Sequence, residues 1–180
     1  MGRIYLEPPR RRLDWLWLRM LYLRAFPPRE RKPFHKIQEM YQLGRGDVWC
    51  IRQEGRLVGF ANTINGEGIT LLDYLAVKKN CRGRGVGSGA MAALQEAYAD
   101  RGLFVEIEST REECDNLEER NRRKQFYLKA GMEDFGVEAQ VFTVRMELLG
   151  SRCHLDFEEY REFYRKYYSQ RAAEHLEPVQ

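Results

Sequence analysis

The sequence predicts a mixed α/β fold of the α+β type: antiparallel strands built around one parallel strand–helix–strand unit. Three observations predict it. Residues 47–65 alternate apolar and polar side chains across a Glu54-Gly55 turn, which is the signature of antiparallel pairing. The apolar run Leu71–Val77 leads into a glycine-rich stretch, Arg82–Ala90, that opens a helical pattern. Behind that helix Leu103–Glu108 alternates again, and a strand–helix–strand succession of this length requires a parallel pair with a right-handed crossover.

The remaining elements follow in order. Ile4–Leu6 suits a short first strand. Leu13–Ala25 has a helical apolar pattern (Trp15, Leu16, Trp17, Leu18, Leu21, Tyr22) stopped by Pro27-Pro28, and it reads as a buried helix. A second helix spans Pro33–Leu43 and ends at Gly44. The strands Asp47–Arg52 and Leu57–Asn65 precede a tight turn at Asn65-Gly66, from which the strand Ile69–Val77 departs. The glycine loop then launches a helix to Asp100, with Gly102 just beyond. On Leu103–Glu108 the residues Leu103, Val105 and Ile107 make the core face, leaving Phe104, Glu106 and Glu108 opposite. Asp115 and Glu118 suit a capping-box start for a helix ending at Ala130-Gly131. Two strands follow, around Met132–Val137 and Gln140–Leu148. Asp156 and Glu159 cap a last helix with Phe157, Tyr160, Phe163, Tyr164 and Tyr167 as its apolar stripe, suited to core or dimer contact. The expected organisation is one domain over residues 1–150 and a helical extension over 151–180 packed on it.

With 180 residues, 43% hydrophobic and 32% charged, the chain can bury a sizeable core. A net charge of +3 gives no argument for a nucleic-acid partner. The four cysteines (Cys50, Cys81, Cys114, Cys153) are widely spaced, without a metal pattern or a disulfide framework, so free thiols, no metal and a cytoplasmic location are expected. Arg10-Arg11-Arg12 ahead of the apolar Leu13–Phe26 segment resembles a targeting signal only superficially. Asp14, Arg19 and Arg24 interrupt the segment, and Ala25-Phe26-Pro27-Pro28 is no cleavage site. It is too short to span a bilayer, and no membrane partner is expected.

Arg82-Gly83-Arg84-Gly85-Val86-Gly87-Ser88-Gly89 is where the chemistry starts. Alternate glycines bare the backbone at a helix N-terminus between two arginines, a receptor for a phosphorylated ligand. Gly87 and Gly89 within the helix together forfeit about 2 kcal/mol against alanine, which a closely approaching ligand would explain. A P-loop is excluded because no Gly-Lys-Ser/Thr follows. A dinucleotide fingerprint can be drawn through Gly85, Gly87 and Ala90, with Glu106 as the ribose acid. Against it, Lys78-Lys79-Asn80-Cys81-Arg82 separates strand from glycines, and the unit follows antiparallel strands.

Arg82-x-x-Gly85-x-Gly87, preceded by Tyr74-Leu75-Ala76-Val77, resembles the main signature of the GNAT superfamily of acyl-CoA-dependent N-acyltransferases. Asn121 followed by Phe126-Tyr127-Leu128-Lys129-Ala130-Gly131-Met132 is similar to that superfamily's second motif, with Met132 in place of the commoner Phe. The resemblance covers Asp47–Leu148 and implies a GNAT-like fold with a C-terminal helix added. It implies that acetyl-CoA is the cosubstrate and that its pyrophosphate lies on the backbone amides of Arg84, Gly85, Val86, Gly87 and Ser88. Arg82 or Arg84 adds charge, and Leu75 and Val77 offer backbone groups to the pantetheine arm. Asn121 is implied as a cofactor ligand, and Tyr127 as the proton donor to the departing thiolate, since a phenol is neutral at pH 7. Arg120, Arg123 and Lys124 lie near enough in sequence to meet the 3′-phosphate, and a solvated charged helix face is their plainer reading. Glu106, Glu108 and Asp73 are the candidate bases for the incoming amine, if burial raises one of them towards neutrality. The aromatic first helix is either core or a wall of the acceptor pocket. The expected activity is transfer of an acetyl group to a primary amine of a small molecule or peptide, by a monomer or homodimer. A non-catalytic acyl-CoA sensor and, third, an NAD(P)-dependent oxidoreductase are the alternatives.

Overall fold

The computed structural model describes residues 2–179, with the side chain of Arg29 left aside. One mixed sheet of eight strands has the order β1-β2-β3-β4-β5-β7-β6-β8, in which β4 and β5 are the parallel pair. The chain divides into two compact units: Met1–Asn65 with Leu72–Ala99, and Gly66–Leu71 with Asp100–Gln180.

In the first unit β1 (Ile4–Glu7) pairs antiparallel with β2 (Val48–Gln53), and β2 with β3 (Arg56–Asn65). Helices α1 (Arg12–Ala25) and α2 (Phe34–Gln42) lie between β1 and β2 in sequence. The α1 start is held by Asp14, whose carboxylate accepts from the N–H groups of Arg10 (3.1 Å) and Arg11 (3.0 Å) and also meets Arg52 at 3.3 Å. Leu18 and Tyr22 of α1 join Phe34, Ile37, Val48, Cys50, Phe60 and Tyr74 in the core of this unit. Only that face of α1 is covered. Leu13, Leu16, Met20 and Leu23 are 71%, 53%, 42% and 45% exposed, so the expected fully buried helix is corrected to one with two different faces.

Helix α3 (Val86–Ala97) closes the unit. A Cβ on Gly89 would stand 2.7 Å from Ile4 Cγ1, so this glycine serves helix-to-strand packing rather than ligand approach. At the far end Tyr98 is 5% exposed and organises a polar knot: its hydroxyl donates to Asp47 (2.7 Å), accepts from Trp49 Nε1 (2.9 Å) and lies 2.9 Å from Thr63 Oγ1. Burial raises the Tyr98 phenol well above its ordinary range, so it stays a donor.

In the second unit the first residues of β4 (Ile69–Val77) pair parallel with β5 (Gly102–Glu108) for three pairs, from Ile69↔Gly102 to Leu71↔Phe104. β5 then pairs antiparallel with β7 (Val144–Ser151), β7 with β6 (Glu133–Val141), and β6 with the short β8 (Leu176–Pro178). The expected break near Val137 is a correction: Gly136 (φ 72°) marks a register shift inside β6, and the chain reverses at Phe142, itself at φ 53°. Helix α4 (Leu117–Lys129) begins at Asn116 rather than on an Asp115 cap. Helix α5 (Phe157–Phe163) does carry the expected box: Asp156 accepts from Glu159 N–H (2.8 Å) and Glu159 accepts from Asp156 N–H (3.0 Å). It continues as a π-helical turn, Tyr164–Tyr168, before the single-turn α6 (Gln170–Ala173).

Removing the Tyr98 hydroxyl takes a donor from a carboxylate and an acceptor from a half-buried indole. Tyr98→Phe is expected to lower the unfolding free energy by about 2 kcal/mol, read from the urea midpoint at unchanged slope.

Candidate functional site

β4 delivers the chain to the glycine loop. Asp73, Leu75 and Val77 share one partly accessible face of the strand, while Leu72, Tyr74 and Ala76 are buried on the other. Leu75 and Val77 lie beyond the three-pair parallel register, so that ladder does not use their backbone groups. A short 3-10 turn, Lys79–Cys81, follows, and Arg82 folds back so that its Nε donates to the Val77 carbonyl at 3.1 Å.

Gly83 and Gly85 both adopt φ 71°, a conformation closed to most side chains. Gly85 is the N-cap of α3 and offers no side-chain cap. The first intrahelical bond runs from Gly89 N–H to the Gly85 carbonyl (2.9 Å). The N–H groups of Val86, Gly87 and Ser88 therefore precede the ladder and point out of the helix end with its positive dipole. Arg82, Arg84 and Ser88 are exposed around them. Backbone of this form suits an anion without requiring a particular side chain.

Asp73 is sealed by Lys32, whose Nζ stands 2.6 Å from its carboxylate with both side chains largely buried. Burial raises the Asp73 carboxyl above its ordinary value, and the Lys32 charge only partly opposes this. Lys32 lies 5.5 Å from the Tyr74 ring centroid, and its backbone carbonyl accepts from Tyr22 (2.9 Å). No local sequence pattern links Lys32 to Asp73; the connection is purely tertiary.

The second unit holds the other candidates. The expected open face of β5 is corrected here, because both faces are covered. Phe104 packs edge-on against Phe163 (5.0 Å) and Tyr160 (6.4 Å), and Tyr164 donates to Glu106 at 2.9 Å. Glu108 is 7% exposed and carries two guanidinium partners, Arg120 (3.2 Å) and Arg123 (3.0 Å). Arg120 also meets Glu112 at 2.8 Å and the Ser109 carbonyl at 2.9 Å. Lys124 bridges Asp134 (2.7 Å) and the fully buried Glu147, which also accepts from Thr110 Oγ1 (2.7 Å). Arg120 and Lys124 are thus structural counter-ions, not a solvated helix face.

On α4, Tyr127 is buried and Asn121 is exposed. Six residues turn a helix through about 600°, which sets their side chains roughly 120° apart. The Tyr127 ring packs against Phe126 (5.0 Å), and burial pushes its phenol up to about 12 against the pull of the Arg123 charge. A cleft of about 450 Å³ also opens in this unit over Ile69, Leu155, Phe163 and Tyr167, rimmed by Glu158, Glu159 and Glu162. None of the residues expected at the cofactor lines it.

Residues 13–132 match the family model of the acetyltransferase (GNAT) family. The chain belongs to that family. Among solved structures, a protein of Bacteroides thetaiotaomicron assigned as a GNAT acetyltransferase superposes with TM-score 0.75 at 19% identity, covering 92% of this chain and 98% of the other. An aminoglycoside 6′-N-acetyltransferase complexed with coenzyme A gives 0.66 at 19% identity, over 82% and 95%. A spermidine N-acetyltransferase of Vibrio cholerae in complex with CoA and spermine gives 0.63 at 10% identity, over 83% and 95%. No match occurs among curated proteins. The mixed GNAT fold accounts for the strand order, and all four cysteines are free in the structure.

Buried charge makes the α4 frame of this GNAT chain sensitive to acid. Burial alone would raise the Glu147 carboxyl, but the hydrogen bonds from Lys124 and Thr110 outweigh it and hold it below the usual 4.5. Asp134 is likewise net lowered, burial being outweighed by Lys124 and the Gly136 N–H. A lowered folded value adds stability that is complete above the unfolded value and lost as pH falls through the folded one. Lys124→Met leaves Glu147 buried without its ammonium and is expected to cost about 3–5 kcal/mol at neutral pH. Thermal melts across pH 3–7 should show most of that loss disappearing at the acid end, where Glu147 takes a proton.

Proposed function

We propose that this chain transfers an acetyl group from acetyl-CoA to a primary amine of a small molecule or peptide. The observation that carries the reading is the backbone cradle at Gly83–Ser88, reached directly from the accessible face of β4. Its fit to a pyrophosphate is chemical: free N–H donors, two left-handed glycines, and Arg82 and Arg84 beside them. Solved relatives named as spermidine and aminoglycoside N-acetyltransferases were captured with CoA, which supports the same cosubstrate here.

Bound acetyl-CoA supplies a thioester whose carbonyl carbon an amine attacks, forming the C–N bond as the C–S bond breaks. The N–H groups of Val86, Gly87 and Ser88 donate to pyrophosphate oxygens. Leu75 and Val77 present β4 backbone to the pantetheine amides, and Asn121 donates its side-chain amide to the cofactor. Among the three carboxylates, Asp73 has the properties a base needs. Glu108 is tied to two arginines and Glu106 is capped by a tyrosine hydroxyl, whereas Asp73 shares a strand face with Leu75 and its carboxyl is raised by burial. An incoming ammonium exchanges with Lys32 at the Asp73 carboxylate, which then takes the proton the amine must lose. Tyr127 acts on the leaving group. With a phenol near 12 against a thiol near 8.5, full proton transfer to the thiolate is uphill by about 5 kcal/mol. Tyr127 therefore serves chiefly as a hydrogen-bond donor to the developing sulfur anion.

Acetyl-CoA is expected to raise the melting temperature while NAD does not; the reverse result would return the loop to a dinucleotide. With a polyamine and aminoglycoside panel, thiol release should be amine-dependent, and CoA binding without release across the panel would make the chain a sensor. Tyr127→Phe should lower kcat about 10–100-fold with KM for acetyl-CoA little changed. Asp73→Asn should lower kcat/KM for the amine about 100-fold or more and abolish the acid limb of the pH profile. That limb should lie above the ordinary carboxylate range in the wild type, because the Asp73 carboxyl is raised.

A further inference from the structure

We propose that the outer face of α1 is a docking surface for an anionic lipid bilayer. Successive residues of a helix turn 100°, so Leu23, Leu16, Met20 and Leu13 fall within about 80° of arc. These four side chains are 45%, 53%, 42% and 71% exposed, while Leu18 and Tyr22 fill the core on the far side. On the same projection Arg12 and Arg19 run along one border of the stripe and Arg24 along the other, all three exposed. Arg10 and Arg11 extend the cationic border past the helix start. The only acid of α1, Asp14, is buried against Arg52 and leaves the outer face without a negative charge.

The field around this helix has the same sign. The unit that contains it holds seventeen Lys and Arg against eight Asp and Glu, whereas the second unit holds thirteen against nineteen. The near-neutral total of +3 conceals this division. An apolar strip edged by arginines needs a partner that offers hydrocarbon and fixed negative charge together, and a bilayer of anionic phospholipid does so across its whole plane. A second copy of the chain would bring two arginine borders together. Nucleic acid would leave the leucines without a partner. Protein interfaces are anchored chiefly by Trp, Tyr and Arg in pockets, and here Trp15, Trp17 and Tyr22 turn inward, the arginines only border the strip, and its centre is unbranched Met and three Leu on a convex helix. With fourteen residues α1 is about 21 Å long, and among the described residues no helix is long and apolar enough to cross a membrane. The helix lies in the interface with its leucines in the acyl boundary and its arginines at the phosphates, which runs against the expectation of no membrane contact.

Vesicle co-sedimentation tests this with the full chain, using equimolar phosphatidylcholine and phosphatidylglycerol beside phosphatidylcholine alone. The wild type should pellet with the anionic vesicles and not with the neutral ones, and rising salt should release it. The double variants Leu16→Gln/Met20→Gln and Arg12→Gln/Arg19→Gln should each bind about tenfold more weakly or worse, at unchanged melting temperature because the altered groups are exposed. Failure to bind anionic vesicles, or equal binding to both kinds, would overturn the proposal. So would a wild-type dimer in solution that Leu16→Gln/Met20→Gln converts to monomer, which assigns the face to a second copy. Binding of a synthetic glutamate-bordered leucine helix in place of vesicles assigns it to an acidic protein and overturns it equally.

Discussion

A buried carboxylate needs a cation or a donor, and this constraint shapes most of the structure. Nearly a third of the chain is charged, and the few charged side chains that are buried, Asp14, Glu108, Arg120 and Glu147, all have partners. Each unit solves the problem with tertiary pairs. In the first, Asp14 joins the start of α1 to Arg52 of β2, Asp47 receives Tyr98 from the end of α3, and Asp73 of β4 holds Lys32 from the segment before α2. In the second, Glu147 of β7 and Asp134 of β6 share Lys124 of α4, and Glu108 of β5 takes Arg120 and Arg123 from the same helix. Replacing such a pair by apolar residues can be neutral, but losing one partner strands a charge. The pairs therefore fix which helix face meets which strand more than they add stability.

That arrangement explains how α4 holds a buried tyrosine despite its weak apolar stripe. Its sequence, LEERNRRKQFYLK, offers few apolar residues to a core, and Tyr127 is the one buried aromatic on it. Arg120, Arg123 and Lys124 supply the attachment that hydrophobic packing does not. The tyrosine environment is set by those anchors, and burial there pushes its phenol up to about 12.

Local chemistry was legible from sequence wherever it acts through neighbouring residues. The strand Ile69–Val77, the Asp156/Glu159 box and the loop at Gly83–Gly89 depend on alternation, capping and glycine spacing, and each lies where those patterns place it. Tertiary cover was not legible. The Phe104, Glu106, Glu108 face of β5 has the alternation of a half-exposed strand, yet the tyrosine-rich C-terminal segment covers it. Gly136 carries the usual mark of a turn, but the turn fell at Phe142, because a bulge also accepts a left-handed glycine. Lys32 could not be matched to Asp73 by any spacing rule.

The same limit applies to α1, where its consequence is greatest. Hydrophobic periodicity finds a helix but does not count its covered faces, and Leu13–Ala25 has apolar residues almost all round. A helix of that kind normally sits in a core. Here the sheet beneath covers one face only, and the arginines at 12, 19 and 24 are spaced to border the other. An exposed leucine is unremarkable alone, but four in one strip between cations are a specific surface chemistry. Such a strip costs solubility, and arginines on both edges offset that cost until a matching surface is met. The glycine loop ahead of α3 and the cationic border of α1 lie in the same basic unit, so both sit in a field of the same sign.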